Sequence, residues 1–224
     1  MMRSEPRYDA VVLAGGRSSR LGGVAKAGLM FDGETLLQRT CSALVRARSL
    51  TVVGPDAAAV WLTDPAKVTF VREEPAFAGP AAALATAFQE GPPDNVSEGA
   101  SEGASENTTV ENTGEERSPW CVVVACDMPG VPGLLDVLLT EAAAGDGPSL
   151  VAVDGGREQP LAALYRTEDL LAAVRAVLAA GPATNLSIRS LLASVRTRQV
   201  PVPPGTTHDV DTWADARALG VAVP

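Results

Sequence analysis

The chain reads as an α/β protein, a mostly parallel sheet with helices on both faces. Three observations predict this. Short apolar runs alternate along the chain with segments of helical pattern. The first run, Ala10-Val11-Val12-Leu13, passes directly into a glycine-rich loop, the place where open α/β sheets receive ligands. A length of 224 residues accommodates one such domain, 1–224, with a full core, and is too short for two.

In chain order, the run at 11–13 is a strand buried on both faces, since its apolar character is continuous rather than alternating. A helix is expected over 35–46, strands over 50–53 and 68–72, and a helix over 80–89. That helix opens on Pro80, a residue suited to a first helical turn. The apolar run 120–125 is a second buried strand, followed by a helix over 133–144 and strands over 150–153 and 160–165. The run 160–165, with its short neighbour, is where an antiparallel strand is expected. Helices over 168–180 and 188–195 follow, the second capped by Ser187. A strand over 198–202 and a helix from Trp213 complete the pattern. Thr212 is suited to cap the last helix, with Asp215 as its capping-box partner three residues on.

Segment 91–118 interrupts this alternation. It carries a short SEGA repeat, an excess of Gly, Ser, Glu and Asn, and almost no large apolar residue. Such a composition predicts a disordered insertion in a surface loop, tolerated because loop-closure entropy rises only slowly with length. A regulatory or partner-binding tail is the functional alternative. The segment holds seven acids and one base, so it contributes −6 of the net charge of −9 and leaves −3 for the rest.

Neither half has a basic stripe, which excludes a nucleic-acid partner. No apolar run approaches the roughly 20 residues that span a bilayer, and the N-terminus MMRSEPRYD lacks the apolar region of a signal peptide. A cytoplasmic, soluble protein without a membrane partner is expected. Cys41, Cys121 and Cys126 form no CxxC pair and read as reduced core thiols. His208 is the only histidine, so a histidine-activated nucleophile would rest on one residue beside a proline-rich turn.

Residues 13–26, LAGGRSSRLGGVAK, carry the chemistry. Glycines at 15, 16, 22 and 23 let backbone N–H groups approach phosphate oxygens, and Arg17, Arg20 and Lys26 supply positive charge. The pattern is neither a Walker loop, since Lys26 is followed by Ala27, nor a dinucleotide fingerprint. The second strand ends in Cys126-Asp127-Met128-Pro129, which places the Asp127 carboxylate to hold a hard cation such as Mg²⁺. Phosphoryl and nucleotidyl transfers depend on charge and positioning more than on proton chemistry. Lys26 and Arg20 are therefore assigned to the triphosphate and its leaving group. The acidic turn Glu73-Glu74 leading to Gly79-Pro80 offers acceptors for a purine N1–H and exocyclic amine. Asp211, in the closely spaced carboxylates of 207–215, is a second metal or acceptor ligand, and Arg189 is placed to reach an acceptor phosphate.

The LAGG-R-SSR-LGG-x-x-K pattern resembles the signature of nucleotidyltransferases, and within them the molybdenum cofactor guanylyltransferases. Glu73 to Pro80, Cys126 to Pro129, Gln159-Pro160-Leu161 and Asp209 to Trp213 match that family's later motifs, so the likeness covers nearly the whole chain outside 91–118. It implies a Rossmann-like, GT-A-like nucleotidyltransferase fold of three layers. It also implies transfer of GMP from Mg·GTP to molybdopterin or the molybdenum cofactor, and transient contact with molybdenum-insertion or molybdoenzyme proteins. Leu13, Ala14, Gly15, Gly16, Arg17, Lys26, Glu74, Gly79 and Pro80 would bind the nucleotide; Arg20, Lys26 and Asp127 would act in catalysis; Asp127 and Asp211 would hold Mg²⁺.

The chain departs from the family in having Ala25 where Asp is usual, Ala81-Ala82-Ala83 after Gly79-Pro80, and Asp211 in place of Asn. Two alternatives stay open: a cytidylyltransferase or other NTP transferase with a different small phosphorylated acceptor, and a nucleotide-binding regulator without catalysis.

Overall fold

A computed structural model describes residues 5–90 and 117–223. The expected disorder of 91–118 falls outside the described residues, save Arg117 and Ser118. Among the described residues the central sheet has seven strands: β1 (Tyr8–Leu13), β4 (Leu50–Val53), β5 (Thr69–Val71), β6 (Trp120–Ala125), β7 (Ser149–Asp154), β8 (Arg157–Arg166) and β9 (Thr197–Pro201). They lie in the order β5-β4-β1-β6-β8-β7-β9. β2 (Met30–Phe31) and β3 (Glu34–Thr35) form a separate small hairpin that the sequence pattern did not announce. The helices are α1 (Leu36–Ala43), α2 (Pro80–Glu90), α3 (Val131–Ala143), α4 (Thr167–Ala180), α5 (Ile188–Leu191) and α6 (Trp213–Leu219). None among the described residues is long and apolar enough to cross a membrane.

β1 pairs in parallel with β4 on one side and with β6 on the other, so the chain reverses its direction of sheet growth at β1. This is the topological switch point of a doubly wound sheet, and the crevice beyond the carboxyl end of β1 is where such sheets bind ligands. β8 runs antiparallel to both β6 and β7, as expected for the run 160–165. Its pairing with β7 shifts register between Val151 and Ala152, leaving Pro160, Leu161 and Ala162 opposite no β7 residue. Pro160 has no N–H to place in a ladder, so its own position in the bulge costs no hydrogen bond, and the bulge re-aims the strand beside the crevice.

Strand side chains alternate faces. Ala10 and Val12 join Val52, Val122, Val124 and Leu164 beneath α1 and α3. Val11 and Leu13 join Val53, Val123 and Ala163 beneath α2, α4 and α5. Both faces of β1 are therefore covered, which is why its six residues are all buried and none needs to be polar for solvent. A third apolar cluster, Leu21, Leu29, Leu36, Val210, Ala216 and Val221, packs the C-terminal segment against the loop after β1. The contact is reinforced by paired hydrogen bonds between Met30 and Ala222.

Several boundaries differ from expectation for local reasons. α1 begins after Thr35, whose side chain accepts the Gln38 N–H at 3.1 Å, and it stops three residues short of 46 in a turn. α3 starts at Val131 with Pro132 in its first turn rather than at 133. α5 is a single turn, capped by Ser187 through the Ser190 N–H, and does not reach 195. The Thr212–Asp215 capping box is formed in full. All three cysteines are buried and free; burial pushes the Cys41 thiol up to about 12 and raises Cys121 and Cys126 as well, so they behave as core thiols.

Candidate active site

A cavity of about 430 Å³ opens at the carboxyl ends of β1, β4 and β6. The phosphate-loop residues Leu13, Ala14, Gly15, Gly16, Arg17 and Lys26 line it, as do Gly79 and Pro80 at the start of α2 and Asp127 after β6. Most of the residues expected to hold a nucleotide thus share one wall system, although they come from three separated segments.

The polar centre lies where Lys26 meets the carboxylates. Lys26 Nζ donates to Asp127 Oδ2 at 2.8 Å and also to Asp211 Oδ1. Burial works against the ammonium, yet the two carboxylates outweigh it and hold the Lys26 pKa above its ordinary value. Arg20 reaches Asp211 Oδ2 at 3.4 Å from a largely exposed position and does not line the cavity.

Each member is fixed by the chain around it. Lys26 starts a 3-10 turn, Lys26–Gly28, whose Gly28 lies so close to Trp61 that a Cβ would sit 2.7 Å from the indole. Asp127 follows Cys126, whose N–H donates to Leu13 O at 3.0 Å, and Asp127 O accepts the Val210 N–H at 3.0 Å. Arg39 Nε donates to Pro129 O at 2.8 Å, so α1 holds the far side of the same turn. Asp211 immediately precedes the Thr212 cap of α6.

Asp209 was missed. One carboxylate oxygen each from Asp127, Asp209 and Asp211 lie within 4.8 Å of one another. The signal was present in the sequence: in an extended segment, residues two apart point the same way, so Asp209 accompanies Asp211. Partial desolvation of this exposed residue, then the charges of Asp127 and Asp211, raise the Asp209 pKa. All three donors are carboxylate oxygens, the set that a hard divalent cation takes, and the Lys26 ammonium already holds a cationic group between two of them.

Two of the expected residues, Glu74 and Arg189, stand outside the cavity lining. Glu74 is exposed and away from the cavity, whereas Glu73 is buried, 7% exposed, and lines it. Glu73 Oε1 accepts the Phe77 N–H at 3.1 Å, and the carboxylate lies alongside Gly15 of the phosphate loop. Past the end of β5 the burial alternates, with Val71 and Glu73 buried and Arg72 and Glu74 exposed, and of these last two only Arg72 lines the cavity. Arg189 does not reach the centre: it donates to Glu158 O at 2.9 Å and pairs with the Glu158 carboxylate, outside the cavity lining. Arg17 does line the cavity, but its guanidinium lies over the Phe77 ring, 5.5 Å from the centroid. Leu161, on the β8 bulge, supplies an apolar wall that sequence spacing did not assign.

In the order β5-β4-β1-β6, Glu73 and Asp127 stand on opposite sides of β1. Three inter-strand steps of about 4.8 Å separate those strands, a span of roughly 14 Å.

A family model described as MobA-like NTP transferase domain matches residues 10–200. A molybdenum cofactor guanylyltransferase from Shewanella sp. (strain MR-4) is 26% identical over 161 residues, 71% of this chain and 69% of the relative. Among solved structures, the molybdopterin-guanine dinucleotide biosynthesis protein A of Archaeoglobus fulgidus superposes with a TM-score of 0.61 at 20% identity. It covers 94% of this chain and 96% of its own. The 2-C-methyl-D-erythritol 4-phosphate cytidylyltransferase of Thermus thermophilus superposes with a TM-score of 0.59 at 19% identity, over 95% and 97% of the two chains.

Proposed function

Because this chain belongs to the MobA-like NTP transferase family and is a nucleotidyltransferase, we propose that it transfers GMP from GTP to molybdopterin or the molybdenum cofactor, releasing pyrophosphate. The observation that carries the reading is the cavity whose lining includes Lys26, Asp127 and the buried Glu73, with Asp211, itself outside the lining, held to it through Lys26.

At the phosphate end, the N–H groups of the loop after β1 face the triphosphate, and Lys26 leaves its carboxylate partners to take up phosphate oxygens. Charge on the leaving pyrophosphate is then met by an ammonium fixed on a short turn, which needs little reorganisation as the bond breaks. Bound through Asp127 and Asp211, Mg²⁺ would neutralise charge on the phosphate oxygens. An oxygen of the acceptor's terminal phosphate attacks the α-phosphorus in line, the bond to the bridging oxygen of pyrophosphate breaks, and a new phosphoanhydride forms.

At the other end, Glu73 is a buried carboxylate with one oxygen held by the Phe77 N–H and the other available. Guanine presents two adjacent donors, N1–H and the 2-amino group, and a carboxylate accepts both; cytosine and adenine offer no such pair. Leaving such an acceptor unpaired in a closed pocket is costly, which is how a polar group discriminates between bases. The guanylyltransferase names of the curated relatives agree with this choice.

The test uses GTP labelled at the α-phosphate, incubated with the protein, Mg²⁺ and molybdopterin. Label appearing in a guanine dinucleotide with one pyrophosphate released per transfer supports the reading. Transfer from α-labelled CTP alone assigns the chain to cytidylyl transfer instead.

A further inference from the structure

We propose that Asp154, outside the cavity, is a positioning residue that sets the geometry of the carboxylate cluster and so controls its affinity for a divalent cation; this rests on the reading of Asp127 and Asp211 as cation ligands. Asp154 is the last residue of β7 and is buried, 7% exposed. Its carboxylate makes no ion pair among the described residues and instead collects three donors from one turn. Oδ1 accepts the Gly205 N–H at 3.1 Å, while Oδ2 accepts the Thr207 N–H at 3.0 Å and the Thr207 hydroxyl at 3.0 Å. Burial of the acid is opposed by these bonds, which hold its pKa below the usual carboxylate range.

The turn so gripped leads, two residues later, to Asp209, then to Val210 and Asp211. Val210 is fully buried and its N–H donates to Asp127 O. The stretch carrying two of the three carboxylates is thus pinned at its start by Asp154, in its middle by the Asp127 backbone, and at its end by the Thr212–Asp215 box. Asp127 follows β6 by two residues and Asp154 ends β7, and β8 lies between these strands, so the sheet itself is the template that sets their separation. Groups that orient metal-ligating residues through hydrogen bonds commonly change metal affinity 10- to 100-fold when removed.

The experiment compares Mn²⁺ binding to the nucleotide-free protein, followed by electron paramagnetic resonance, for wild type, Asp154→Asn and Thr207→Val, with melting curves alongside. Asparagine keeps one acceptor and turns a donor toward the N–H groups of the turn. Mn²⁺ binding is expected to weaken about tenfold or more in Asp154→Asn and about threefold in Thr207→Val, which loses only the hydroxyl bond. In pyrophosphate release, the metal concentration for half-maximal rate rises by the same factors, while KM for GTP at saturating metal stays within twofold. Should Asp154→Asn fail to fold, Thr207→Val decides. Unchanged Mn²⁺ affinity in folded variants overturns the assignment of Asp154 alone. Absence of Mn²⁺ binding by the wild type overturns the cation reading of the cluster, and Asp154 with it.

Discussion

Lys26→Met removes the ammonium that bridges Asp127 and Asp211 while keeping a chain of similar length. At 2.8 Å from Asp127 and an effective dielectric near 20, the lost attraction is about 6 kcal/mol gross. Desolvation of the partly buried partners cancels most of it, leaving about 1–3 kcal/mol net for a charged hydrogen bond. The variant retains three carboxylates within 4.8 Å of one another, with only the exposed Arg20 still paired to one of them, Asp211. Two opposite effects follow. Without nucleotide, Mn²⁺ binding becomes at least tenfold tighter, about 1.4 kcal/mol, because the internal cation no longer competes for Asp127 and Asp211. Turnover falls by about 10²–10³, the usual loss for one charge-stabilising group in a transfer site. Calorimetric Mn²⁺ titration and pyrophosphate release on the same preparation measure both. Weaker or unchanged Mn²⁺ binding, or release within threefold of wild type, refutes the placement of Lys26 as both counter-ion and phosphate ligand.

Glu73→Gln is expected to raise KM for GTP about tenfold with little change in kcat, whereas Glu74→Gln leaves both within twofold; steady-state kinetics distinguish the two neighbours. Gly130→Ala would place a Cβ 2.2 Å from Thr206 O, so the turn after Asp127 must shift, and urea unfolding should show a loss of about 1–3 kcal/mol. The depressed Asp154 pKa means that its contribution to stability is present above the unfolded carboxylate value of about 3.9 and is lost as pH falls through the lower folded value. Urea midpoints for wild type and Asp154→Asn should therefore differ at pH 6 and converge towards pH 2; a constant gap contradicts the linkage.

The strands and most helices were legible because continuous apolar runs such as 120–125 occur where both faces of a strand are covered, and helix starts such as Thr212 carry their caps in the local sequence. The phosphate loop was legible for the same local reason, being one segment at a strand end. What could not be read was set by tertiary placement. The choice between Glu73 and Glu74 depends on the strand phase continuing past Val71. The β2–β3 hairpin has too few residues to show a period. Arg189 was placed by its charge, but the fold gives it Glu158, a residue 31 positions away. Asp154 carries no motif, and its role exists only because β7 ends beside the turn at 205–207.

The central claim, guanylyl transfer at the cavity above β1, is tested most directly by pyrophosphate release with Mg²⁺ and each of the four NTPs, with and without molybdopterin, for wild type and Asp127→Asn. Release is predicted with GTP alone, dependent on molybdopterin and abolished in Asp127→Asn. Turnover with CTP and none with GTP, or silence with all four nucleotides in the presence of molybdopterin, contradicts it.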